Sequence, residues 1–86
     1  MCSYVTVKAD MTGSAKGQRG WFKVDRALCY FDHPYHAPYG HTLNIDFVNE
    51  EAGPSARCAV ELTAESARQL VRIIEAALEA AGDAAA

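Results

Sequence analysis

The sequence predicts an α+β domain: a four-stranded antiparallel sheet meander with one C-terminal helix packed on one face, in the order ββββα. Two observations carry this. The first is strict alternation in His41 to Asn49, where Leu43, Ile45 and Phe47 point one way and Thr42, Asn44 and Asp46 the other. The second is an apolar residue every three or four positions from Ala67 to Ala81, behind a threonine suited to cap a helix. Short connections between the extended segments favour antiparallel pairing.

The first strand is Tyr4 to Met11, with Val5, Val7, Ala9 and Met11 on one face and Thr6, Lys8 and Asp10 on the other. Thr12 to Gly20 holds three glycines and no large apolar residue, and reads as a loop. Its glycines and two cations lack the phosphate-loop spacing, and a strand follows them, so a hairpin connection is the better reading. Trp21 to Asp32 is rich in aromatic and β-prone residues and forms the second strand, with a bulge or bend expected at Asp25-Arg26. Two prolines and a glycine in residues 33 to 40 exclude helix there. Glu50 to Pro54 is a turn. Ala56 to Leu62 is the fourth strand, with Cys58, Val60 and Leu62 inward and Arg57 and Glu61 outward.

Thr63 then caps the helix, and Glu65 in the first turn complements the dipole. Ala67, Leu70, Val71, Ile74, Ala77, Leu78 and Ala81 form one stripe, and Gly82 supplies the stop. Residues 83 to 86 read as a frayed tail of a single domain, 1 to 86. One helix is narrower than four strands, so part of the sheet is expected to stay uncovered. A homo-oligomer, a dimer above all, is the usual remedy for so small a core.

Composition narrows the function. Half of the 86 residues are hydrophobic and 22% are charged, which excludes a disordered chain. A net charge of -3 leaves no excess of Lys and Arg to neutralise phosphates, so no nucleic-acid partner is expected. No apolar run reaches the ~20 residues of a membrane helix, and nothing at the N-terminus marks secretion. Cys2, Cys29 and Cys58 are odd in number and far apart, and read as reduced thiols of a cytoplasmic protein.

The chemical signal is concentrated in Asp32-His33-Pro34-Tyr35-His36-Ala37-Pro38-Tyr39-Gly40-His41. All three histidines fall there, among two tyrosines and an aspartate. Neutral imidazole is the commonest transition-metal ligand, so one expectation is zinc, copper or nickel held by His33, His36 and His41, with Cys2 nearby. The spacing H-x2-H-x4-H matches no standard metal signature. The alternative is a metal-free acid–base enzyme of cyclase or isomerase type acting on a small metabolite. There His36 and His41 would move protons, Asp46 would fix a tautomer, and Tyr35 would polarise a carbonyl oxygen. The strand parity of His41 predicts a cavity lined by His41, by Tyr35 or Tyr39, and by His36 or a histidine of a second copy. The bland reading is that His41 is a histidine at the rim of the core and that Asp46 and Asn44 are ordinary outward strand residues. A third reading is a protein-interaction module using the open sheet face.

Several motifs belong together. They are Met1-Cys2-Ser3-Tyr4, Gly13-Ser14-Ala15-Lys16-Gly17, Gly20-Trp21-Phe22, Tyr30-Phe31-Asp32-His33-Pro34, His36-Ala37-Pro38, His41 to Phe47, and Gly53 to Arg57. With these the chain resembles, over nearly its whole length, a family of short actinobacterial proteins classed as a domain of unknown function. The resemblance implies that Cys2, the histidine loop and the Thr42-to-Phe47 strand belong to the family pattern. It implies no activity.

Overall fold

The computed structural model describes residues 5–85. Strands β1 (Val7–Gly17), β2 (Gly20–Asp32), β3 (Thr42–Val48) and β4 (Arg57–Leu62) form one antiparallel sheet in the order β1-β2-β3-β4. Helix α1 (Ala64–Ala81) follows. Two short 3₁₀ turns, Glu50–Ala52 and Gly82–Ala85, complete the chain. The α+β class and the meander agree with the sequence reading. Cys2 and Tyr4 lie outside the described residues.

The stretch from Thr12 to Gly20, expected as a loop, is mostly strand. β1 runs on to Gly17, and only Gln18 and Arg19 turn before Gly20 begins β2. Gly20 has φ 106°, a conformation that favours glycine, so the two-residue turn closes without strain. Backbone pairing across β1 and β2 satisfies donors and acceptors that a glycine-rich loop would leave to water. The expected irregularity is present, but β1 carries the extra residue. The register shifts between Asp10 and Gly13, so that Met11 and Thr12 stand opposite Asp25.

Past the end of β3, the β1–β2 hairpin bends over until its tip meets β4. A methyl group on Gly17 would stand 3.1 Å from the Phe22 ring and 3.3 Å from the Arg57 carbonyl oxygen. Gly17→Val is therefore expected to lower the denaturant midpoint, at a cost of ~1–3 kcal/mol of stability. An unchanged midpoint would show that the tip does not close on β4.

Register divides the sheet into two faces. Leu43, Ile45 and Phe47 of β3 face the same way as Phe31, Cys29 and Ala27 of β2 and as Leu62, Val60 and Cys58 of β4. Cys29 and Cys58 are half-buried free thiols on this apolar face. The apolar residues fully in the core, among those described, are Val24, Ala27, Ile45 and Ala56. Thr63 caps α1 as its sequence predicts, accepting from the Ser66 N–H at 3.1 Å. Gly82 ends it, its N–H directed to the Glu79 and Leu78 carbonyls. The helix meets the apolar face through its first turns, where Ala64, Ala67 and Arg68 border Phe31 and Leu43. No residue of α1 is buried. No helix among the described residues is long and apolar enough to cross a membrane.

Candidate functional site

The opposite face carries the polar chemistry. Thr42, Asn44 and Asp46 follow one another along the central strand β3, and all three are buried. Sequence alternation places them outward, as ordinary solvated strand residues. They are instead the buried polar side chains among the described residues. A buried polar group is costly unless it is hydrogen-bonded. The Thr42 hydroxyl donates to Asn44 Oδ1 at 2.6 Å. The Asp46 carboxylate accepts from Arg57 Nη2 at 2.9 Å and from the Tyr30 hydroxyl at 3.4 Å. Tyr30 stands opposite Asn44 on β2, and Arg57 stands opposite Val48 on β4, one pleat from Asp46. Three strands thus supply one acid, one base and one phenol.

The histidine loop closes over this face because Glu61 holds it. Glu61 pairs with Asn44 in the sheet, and its carboxylate accepts three successive backbone N–H groups of the loop. These are Tyr35, then His36 at 3.0 Å, then Ala37 at 2.8 Å. Consecutive N–H groups converging on one carboxylate make an anion nest. The Ala37 N–H does most to lower the Glu61 pKa, helped by those of Tyr35 and His36 and by the nearby His36, against a smaller desolvation cost. A carboxylate whose folded pKa is lowered stabilises the fold above its ordinary value and loses that contribution as pH falls through the lowered one. Protection of the amides at residues 35–37, their exchange rate relative to an unstructured peptide at the same pH, is therefore expected to hold above pH 4.5 and to fall as pH drops below it. Protection that is flat across this range would show that Glu61 does not hold the loop.

Tyr30, Tyr35, His36, Asn44, Asp46 and Arg57 line the resulting cleft, of about 600 Å³, with Ala59, Val60 and Glu61 on its β4 side. Burial raises the Tyr30 pKa above 10.0, and the Asp46 charge raises it further against the opposing Arg57. A phenol with a raised folded pKa stays protonated longer, and its contribution to stability is lost as pH rises through that value. Tyr30 should ionise later than an ordinary phenol in an absorbance titration. Asp46→Asn should move that tyrosine part of the way back, since desolvation remains. Identical titration of wild type and variant would sever Tyr30 from Asp46.

The sequence candidates divide between the two faces. Tyr35, His36 and Asp46 meet in the cleft. His41 does not, which corrects the expected cavity. Its ring stacks on Phe31 at 5.8 Å and on His33 at 4.4 Å. Odd strand parity carries His41 toward the apolar side with Leu43, while the nest on Glu61 draws His36 to the polar side. His33 Nδ1 donates to the Gly40 carbonyl at 2.8 Å, closing the base of the loop. The expected convergence of His33, His36 and His41 on one metal is therefore not formed. Stacked imidazoles present their faces to each other, whereas a shared ion needs ring nitrogens edge-on. Among the described residues no group of three or more His, Cys, Asp or Glu side chains is arranged to hold a metal ion. Cys2 lies outside those residues.

Tyr30, Arg57 and Glu61 are cleft residues that sequence reasoning missed. Parity already placed Arg57 and Glu61 outward beside Asn44 and Asp46. That clustering of opposite charges on one face was the available signal.

The fold and site together define a small ββββα domain with a polar cleft on the sheet face opposite its helix. The chain belongs to a family of unknown function (DUF6295), whose family model matches residues 1–86. Neither a curated protein nor a solved structure matches it.

Proposed function

We propose that the cleft binds a small polar metabolite bearing a carboxylate or carbonyl group and moves a proton on it without a metal. The observation that carries this reading is the Tyr30–Asp46–Arg57 network, part-buried around the buried Asp46 on a sheet face and roofed by a loop that brings His36 to its edge. Buried polar groups of this kind cost stability, and that cost is common at binding sites.

Each residue has a role that its surroundings suit. The Arg57 side chain is half exposed at 51%, so its guanidinium holds Asp46 with one nitrogen and offers further donors to an anionic ligand. Tyr30, kept protonated by burial and by Asp46, holds its single proton toward Asp46 only across a long 3.4 Å bond, so it can turn that proton to a developing oxyanion. Asp46 orients both. His36 is the imidazole at the rim, the side-chain type best matched to proton transfer near neutral pH. Tyr35 is 99% exposed and borders the opening. This is the acid–base reading of the sequence with His41 removed and Tyr30 and Arg57 added.

Titrating ¹⁵N-labelled protein with short keto acids, dicarboxylates and sugar phosphates tests it. The expected result is shifts confined to Tyr30, His36, Asn44, Asp46 and Arg57, abolished by Arg57→Ala. No such shifts up to ~10 mM ligand would exclude even weak binding and overturn the reading. Zinc added to the same sample separates the metal alternative, which requires His33, His36 and His41 to shift together.

A further inference from the structure

Asn44, in the middle of the polar row on β3, is 5% exposed. Its Oδ1 accepts from the Thr42 hydroxyl at 2.6 Å. Its Nδ2, a donor of two protons, has no hydrogen-bond partner among the described residues. That nitrogen is not sealed in. Among the described residues the one fully buried side-chain atom without a partner is Asp25 Oδ1, so Nδ2 keeps some open surface. Asn44 lines the cleft, and the cleft is where that surface opens. A donor left unmet on so buried a side chain is costly, and an acceptor carried by a ligand removes the cost.

The surroundings of Nδ2 select the kind of acceptor. Asn44 pairs with Glu61 on β4. Asp46 follows it on the same face of β3, about 6.6 Å further along. Two carboxylates therefore flank the amide. Glu61 is held ionised by three loop N–H groups, and Asp46 by Arg57. An anionic oxygen at Nδ2 would be repelled by both, whereas a neutral carbonyl oxygen takes the donor without that penalty. The guanidinium of the cleft lies on the far side of Asp46, because Arg57 pairs with Val48. Against Asp46 and Glu61 it is a single positive charge, which suits one anionic group on the ligand and disfavours two. Arg57 reaches back to 2.9 Å from Asp46 Oδ1, so its remaining donors stand about one two-residue strand repeat from Asn44. Roughly two methylene groups between a carboxylate and a carbonyl match that spacing.

We infer that the cleft selects a short monocarboxylate with a neutral amide or keto carbonyl about two methylene groups away, its carboxylate on Arg57 and its carbonyl oxygen on Asn44 Nδ2. This selection presupposes that the cleft is a ligand site, the reading proposed above, and it ranks the ligands: dicarboxylates and sugar phosphates carry one negative charge too many.

Three acids of similar size test it. Succinamate carries both groups, succinate replaces the amide by a second carboxylate, and butyrate lacks the second carbonyl. Each is titrated into ¹⁵N-labelled protein near pH 8, above the ordinary range of imidazole. The cleft backbone signals and the side-chain amide signals of Asn44 are followed. Succinamate is expected to bind about tenfold or more tightly than the other two, and to move the Asn44 side-chain signals. Asn44→Ala should bring succinamate down to the affinity of butyrate, a loss of selectivity that weakened packing does not produce. If that variant does not fold, the wild-type ranking and the Asn44 signals decide alone. Succinate or butyrate binding as tightly as succinamate overturns the inference, and so do Asn44 side-chain signals that stay still while succinamate binds. In those cases the cleft remains a ligand site. A sugar phosphate that shifts the cleft signals where succinamate does not has the same meaning. Cleft signals indifferent to every one of these ligands up to ~10 mM overturn the ligand reading and this selection together.

Discussion

Asp46→Ala is expected to abolish ligand binding in the cleft and to lower stability together. The carboxylate is 12% exposed, and it is the common acceptor for Arg57 and Tyr30. Removing it leaves a phenol and a guanidinium without their shared partner. Arg57 is half exposed, so water compensates it and the pair counts for less than a buried ion pair. Tyr30 sits at 3.4 Å, a long hydrogen bond of modest worth. Together these set the loss at ~1–2 kcal/mol, below the 3–5 of a fully buried pair. Urea unfolding would measure it. Asp46→Asn should keep most of the stability and lose the binding, because it preserves shape and an acceptor but removes the charge that orients Arg57. Binding that survives Asp46→Ala would place the ligand somewhere other than this cleft.

The second large effect is expected from Glu61→Ala. That change removes the acceptor of three consecutive loop N–H groups at once, at Tyr35, His36 and Ala37. Amide exchange across 35–37 should accelerate about tenfold or more, the loss of a charge-assisted anchor. Exchange in the β2–β3 ladder should hardly change, because Glu61 pairs along the other edge of β3 and takes no part in it. His36 would leave the cleft edge, so affinity should fall even though Tyr30, Asp46 and Arg57 remain in place. Glu61→Gln is the control: its single amide oxygen retains part of the nest. Unchanged exchange in Glu61→Ala would mean that the prolines alone fix the loop.

Much of the architecture was legible because it depends on near neighbours. Leu43, Ile45 and Phe47 alternate with Thr42, Asn44 and Asp46, and a period of two is strand geometry whatever surrounds it. Thr63 caps α1 through an N–H three residues away, and Gly82 ends it through carbonyls within one turn. Composition misled where local chemistry was weaker than pairing. Gly13 to Gly20 carries the residues of a loop, yet Gly13 to Gly17 lies along β2, which supplies its backbone partners.

The site was only half visible, and for the same physical reason. Parity sets Asn44, Asp46, Arg57 and Glu61 on one face, so their company could be read from the chain. Whether that face is wet could not, since burial comes from groups distant in sequence. Glu61 captures a loop 24 to 26 residues earlier, and that capture roofs the cleft. The same capture parts His36 from His33 and His41, which nine residues of sequence had grouped together. The order of strands, their faces and the helix ends were thus determined by the sequence alone. Only the tertiary structure decided which histidine joins the cleft, that a polar row on β3 is buried, and that the apolar stripe of α1 runs beyond the sheet it starts on. Periodicity tells which residues share a side, but pairing across the sheet decides what that side meets.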